Sequence, residues 1–124
     1  MRLLLDTHAF LWWMDGSPAL RQAARAAIED PQNDVILSVA SLWELTIKIA
    51  LGKQTFPADL ETTLGKEGFG VLPITFAHLR ALATLPPLHK DPFDRMLIAQ
   101  SRADGLAIVT ADPAFVPYGP EIVW

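Results

Sequence analysis

Short, wholly apolar runs alternate along the chain with longer stretches where apolar residues recur at helical spacing, and this rhythm predicts the elements. Residues 2–5, RLLL, are β-prone and too brief for a helix. HAFLWWM follows as an apolar helix that Thr7 can cap, and DGSP turns the chain. Ser17 and Pro18 open a second helix through about Glu29. DVIL then has the look of a buried parallel strand. Ser38 or Ser41 can cap a helix to about Leu51, where Gly52 stops it, and Ser41 with Glu44 matches a capping box. Residues 57–67 read as a short helix, and GFGVLPI holds a third strand. Thr75 opens TFAHLRALATL, which the pair Pro86 and Pro87 ends. Asp91, ahead of Pro92, fits the N-cap of a helix running to about Asp104, with Gly105 turning the chain. LAIVT is the fourth and cleanest strand, and EIVW a short fifth.

Strands alternating with helices predict an α/β fold, a mostly parallel sheet of four to five strands between helix layers. A chain of 124 residues is expected to form one domain, residues 1–124, large enough for a core. HAFLWWM is apolar on every face, so it is either wholly internal or meets a partner. Trp12, Trp13 and Trp43 raise the same choice between core packing and a partner groove.

Composition narrows the class. Hydrophobic residues make up 51% and mean hydropathy is +0.25, which excludes a disordered chain. No apolar run approaches the ~20 residues of a membrane span. MRLLLD reaches a charge too soon for a signal peptide, so a cytoplasmic location is expected. Without cysteine, disulfides and thiolate metal sites are excluded. A net charge of −4 argues against a nucleic-acid partner only if the acids are evenly spread. Were Asp6, Glu44, Asp91, Asp94 and Asp112 to converge, the remainder would carry +1, the net −4 less five negative charges.

The expected topology favours convergence, because ligands of open α/β sheets collect outside the carboxyl ends of the strands. Asp6 ends the first strand. Asp112 follows LAIVT by two residues, and Asp91 and Asp94 open the helix leading into that strand. Glu44 lies early in the helix after the second strand. Two carboxylates ~4 Å apart repel by ~4 kcal/mol at an effective dielectric of 20. A converging set must therefore take up protons, pair with cations or bind a metal. No histidine or cysteine set is evident as competing ligands, and all-oxygen coordination favours Mg²⁺ or Mn²⁺. Such ions activate water at phosphates, so phosphodiester or phosphoryl hydrolysis is the expected chemistry. Each acid also has a purely structural role open to it: strand-end cap for Asp6, capping box or pairing with Lys48 for Glu44, turn for Asp112.

LLLDTHAFLWW, SVASLWELTIKIALGK, HKDPFDRMLIAQSRADGLAIVTAD and AFVPY, in this order, resemble the PIN-domain ribonucleases of the VapC toxin type. The resemblance spans the chain. It implies a three-layer α/β/α fold, Mg²⁺- or Mn²⁺-dependent endonuclease action on RNA with one or two ions per site, a homodimer, and an inhibiting antitoxin partner. It further implies that Asp6, Glu44, Asp94 and Asp112 form the site, with Asp6, Asp94 and Asp112 on metal and Thr110 accompanying Asp112. Asp91 is retained as the cap and a supporting partner. Arg95 and Lys48 are candidates for RNA phosphates, as Lys53 and Lys90 are more weakly; Arg95 could equally be an internal counter-ion. His8 could contact RNA or shuttle protons, though a helix histidine bonded to backbone is the plainer reading. His78 and His89 carry no assigned role. Two rival functions fit the acids: a phosphohydrolase with Asp6 as nucleophile, and a PIN-like module that binds RNA or protein without cutting.

Overall fold

The computed structural model describes residues 1–124 throughout. Its centre is β1 (Arg2–Leu5), where three successive leucines are completely buried. A strand covered on one face would alternate; this one is covered on both. Leu3 and Leu5 enter one core with Phe10, Leu37, Leu45 and Val109, while Leu4 enters the other with Leu97, Ile98, Ile108 and Phe115. Truncating any of the three to alanine is expected to cost about 2–5 kcal/mol, since neither core can collapse around the gap.

Five strands form one all-parallel sheet. In chain order they are β1, β2 (Asp34–Ser38), β3 (Gly70–Leu72), β4 (Ala107–Val109) and β5 (Ile122–Val123), and in space they run β3-β2-β1-β4-β5. The helices α1 (Thr7–Asp15), α2 (Gln22–Glu29), α3 (Val39–Ala50), α4 (Leu60–Glu67), α5 (Phe76–Ala83) and α6 (Pro92–Asp104) make the crossovers and cover both faces. The spatial order reverses at β1: the chain first moves outward through β2 and β3, then returns to pair β4 on β1's other side. Such a switch point opens a crevice between the carboxyl ends of the two strands. Pairing of Leu5 with Val109 sets Asp6 beside Thr110 there, and the Asp6 amide donates to the Val109 carbonyl at 3.1 Å.

Several local expectations need correction. Asp6, not Thr7, caps α1, its Oδ1 accepting the Ala9 amide at 2.7 Å. Helix α2 begins at Gln22 rather than Ser17, whose hydroxyl instead accepts the Ala19 amide in a preceding turn. Ser38 caps α3, and the capping box of Ser41 with Glu44 does not form because Glu44 bonds elsewhere. Residues 113–118 wind into a 3₁₀ helix that the apolar pattern did not signal. Helix α6 follows expectation closely: Asp91 caps it, Pro92 opens it, and Gly105 closes it in the left-handed conformation at φ 66°. No helix is long and apolar enough to cross a membrane.

Candidate active site

Three helical segments point their N-termini at the crevice, and each is capped by an aspartate. Asp6 caps α1, Asp91 caps α6 through the amides of Phe93 and Asp94, and Asp112 caps the 3₁₀ helix through Ala114. The positive ends of these segments partly offset the negative charge gathered here. In Asp91 and Asp112 one oxygen holds the backbone while the other is left to the cleft. Capping and site membership are thus compatible roles of the same side chain.

Asp6, Glu44, Asp91, Asp94 and Asp112 line a cleft of about 180 Å³ together with Thr7, His8 and His89, with no apolar residue among them. Hydrogen bonds fix the set. The Thr110 hydroxyl donates to Asp6 Oδ2 and accepts the Asp112 amide at 3.0 Å, tying two acids 106 positions apart to one side chain. The Thr7 hydroxyl donates to Glu44 Oε1 at 2.6 Å, and Lys48 Nζ pairs with Oε2 at 3.1 Å. Lys48 is therefore the counter-ion of a cleft acid.

Burial pushes the Asp6 carboxyl above the ordinary range, against the lowering effect of its Thr110 and Ala9 hydrogen bonds. Asp94 is raised to about 6, chiefly by burial, with Asp91 and Asp6 adding repulsion and His89 opposing it. In both groups burial works against the charged form, and repulsion from neighbouring acids adds a smaller push in the same direction. A hard divalent cation matches the five gathered carboxylates and their oxygen-rich donor set. Asp94, Asp112 and His89 each offer a donor atom, all within 4.8 Å of one another. Asp6 lines the same cleft, with both oxygens already engaged by Ala9 and Thr110.

Two residues stand differently from expectation. The Arg95 guanidinium turns inward, donating to the Pro86 carbonyl at 2.9 Å and to the Tyr118 hydroxyl at 3.1 Å. It braces the turn before α6 instead of facing the cleft. His89, assigned no role from sequence, sits in the cleft with Nε2 2.9 Å from Asp94 Oδ2. Its backbone amide donates to the Tyr118 hydroxyl, which also accepts from Leu88 and itself donates to the Pro86 carbonyl. The only sequence signal was a histidine just ahead of an aspartate cap, and its spacing to Asp94 has no fixed meaning outside a regular element.

A second opening shares Asp6, His8 and Asp112 with the first and is further lined by Trp12, Ala111 and Pro113. The rings of His8 and Trp12 lie 5.9 Å apart, and Trp12 rests against Trp124 at 5.8 Å.

The PIN domain family matches residues 3–118 of the chain. No curated protein matches it. Among solved structures, a chain in VapBC2 from Rickettsia felis bound to a promoter DNA fragment is similar with TM-score 0.69 at 12% identity, over 98% of this chain and 96% of that one. VapBC-1 from nontypeable Haemophilus influenzae gives TM-score 0.70 at 18% identity with the same coverage. A toxin–antitoxin complex from Klebsiella pneumoniae gives 0.66 at 20%, again over 98% and 96%. These likenesses are of fold. The family match covers nearly the whole chain and includes every acid of the cleft, so the chain belongs to the PIN domain family.

Proposed function

We propose that the protein is a metal-dependent endoribonuclease, the toxin of a toxin–antitoxin pair acting on RNA in the cytoplasm. The observation that carries the reading is the meeting of Asp6, Glu44, Asp94 and Asp112, from four separate elements, in one apolar-free cleft at the sheet's switch point. Asp6, Asp94 and Asp112 would hold Mg²⁺ or Mn²⁺, one or two ions. Bound there, the ion would supply a polarised water and charge compensation at the phosphate. Glu44, held by Thr7 and Lys48, would ligate the ion or orient the attacking water. Thr110 keeps Asp6 and Asp112 in register. Asp91 fixes the α6 N-terminus and adds negative charge beside Asp94. The adjoining opening with His8 and Trp12 offers stacking surface for a base next to the scissile phosphate.

A partner surface supports the toxin half of the reading. Trp43 and Ile47 on successive turns of α3 and Leu51 at its C-cap are exposed, with Trp43 packed edge-on against Phe93 at 5.2 Å. An apolar stripe at this spacing suits an amphipathic antitoxin helix, and the solved structures similar in fold include a toxin–antitoxin complex. Exposed Val71, Phe76 and Leu79, on β3 and α5, leave apolar surface for a second copy in a homodimer.

The test is cleavage of a mixed RNA pool with Mg²⁺, with Mn²⁺ and with chelator, beside Asp94→Asn. Metal-dependent cutting lost in the variant is the expected result. Cutting that persists in chelator, or in the variant, would overturn the assignment. Should the wild type bind divalent metal without cutting any RNA, the non-catalytic RNA- or protein-binding reading takes its place.

A further inference from the structure

We propose that His89 is itself a ligand of the divalent ion, through Nε2, and that this nitrogen biases the site toward Mn²⁺ over Mg²⁺. The inference rests on the metal-dependent reading above and extends it to a residue outside the four acids.

Geometry is the first ground. Ligands ~2.1 Å from a six-coordinate ion lie ~3 Å apart when adjacent and ~4.2 Å apart when opposite. His89 Nε2 lies 2.9 Å from Asp94 Oδ2, the spacing of an adjacent pair, and one Asp112 oxygen falls within 4.8 Å of both. The hydrogen bond thus holds two donor atoms at the separation that an ion would require.

The second ground is how the ring is held. The backbone of His89 is pinned by the Tyr118 hydroxyl, so the imidazole is delivered to the cleft by a braced turn and not by a loose one. Its Nδ1 has no protein partner. A ligating His89 would carry its ring proton on Nδ1, leaving the Nε2 lone pair for the ion and the imidazole neutral. No protein donor opposes that tautomer. At His78 the corresponding tautomer is blocked, because its Nδ1 accepts the Thr75 amide at 3.1 Å.

Charge is the third. The cleft already holds five carboxylates, of which Glu44 alone is paired with a lysine, Lys48. A neutral ligand adds a donor without adding repulsion. Mg²⁺ keeps to oxygen and water, whereas first-row transition ions accept imidazole, and Mn²⁺ among them also suits a carboxylate-rich site.

The experiment uses the whole chain loaded with Mn²⁺ and read by pulsed electron paramagnetic resonance, with ¹⁵N-histidine labelling, beside calorimetric titration of Mn²⁺ and of Mg²⁺. The wild type should show histidine nitrogen coupled to manganese, and His89→Asn should lose it. The variant's Mn²⁺ affinity should fall ~10-fold or more while its Mg²⁺ affinity changes by less than ~3-fold. Absence of nitrogen coupling in the wild type overturns the proposal without reference to any variant. Coupling that survives in His89→Asn overturns it too, and assigns the nitrogen to His8. Equal loss of both metals would make His89 a positioning residue for Asp94 only. If the wild type binds neither ion, the metal-dependent nuclease reading fails along with this one.

Discussion

Each end of helix α6 holds an aspartate that meets a histidine from outside the helix, and the two pairs share one contact and little else. At the C-terminal end His78 Nε2 meets Asp104 Oδ2 at 2.9 Å; at the N-terminal end His89 Nε2 meets Asp94 Oδ2 at the same distance. His78 is buried, and its second nitrogen takes the Thr75 amide in a capping box, with the Gln100 amide nearby at 3.4 Å. Its hydrogen-bonding capacity is spent on joining α5 to α6. His89 is partly exposed, its second nitrogen is unused, and its aspartate faces Asp91 and Asp6. A contact therefore does not define a role. What separates a brace from a reactive site is whether the surroundings satisfy the pair or leave it charged and open.

The sharpest way to break the comparison is to neutralise each aspartate in turn. Asp94→Asn should lower RNA cleavage by ~10³-fold or more, on the view that its charge acts in the reaction. Asp104→Asn should leave cleavage within ~3-fold, its cost being that of an altered partner for His78. Single-turnover rates at saturating metal check both, and equal losses would erase the distinction.

Next in size is the effect of removing the buried imidazole. His78→Ala should cost about 2–4 kcal/mol of folding stability, because it opens a cavity and strands the Thr75 amide and the Gln100 side chain. Urea unfolding measures it. Mn²⁺ affinity of the variant that remains folded should be unchanged.

The N-terminal pair should also show itself as a pH dependence in the metal-free protein. Asp94 titrates at about 6 in the folded chain against an ordinary 3.8, so the native state holds its proton more tightly than the unfolded state does. The resulting stabilisation is complete below about pH 3.8 and is lost as pH rises through about 6. After allowance for solvent screening, the change is on the order of 1–2 kcal/mol. Thermal melts in chelator between pH 4 and 7 should show this decline, and Asp94→Asn should flatten it. A wild-type profile that rises across that window would refute the assignment.

The smallest expected effect lies in the brace behind His89. Tyr118→Phe removes the hydroxyl that accepts from Leu88 and His89 and donates to Pro86. A loss of about 1 kcal/mol in stability is expected, with Mn²⁺ affinity reduced only a few-fold as the imidazole becomes less fixed. Calorimetry beside His89→Asn would show whether the brace and the ligand act on one quantity.

Much of this was legible in the chain before any coordinate. The cap and stop of α6 were readable because Asp91, Pro92 and Gly105 act on backbone within a turn of themselves. The helix–strand alternation and the sheet type followed from the same local rules. Glu44 shows where such rules stop: Ser41 and Glu44 satisfy a capping-box spacing, yet Ser38 caps the helix and Glu44 reaches across to Thr7. Ser41 instead lies inside the first turn of α3, where it cannot act as the cap. The same holds for Arg95, whose place beside Asp94 in sequence suggested a cleft cation. Helical geometry turns it away, toward Pro86 and Tyr118.

By itself the sequence determined the α-helices and strands, their order, the parallel sheet and the acids that could meet at its carboxyl edge. These depend on interactions spanning a few residues, which composition and periodicity record directly. Only the tertiary structure decided that Thr110 bridges Asp6 and Asp112 and that His89 stands against Asp94. Those pairings follow from the register of β1 on β4 and from the course of one irregular turn. Neither leaves a periodic trace in the chain, because the residues that meet are set by how separate segments pack.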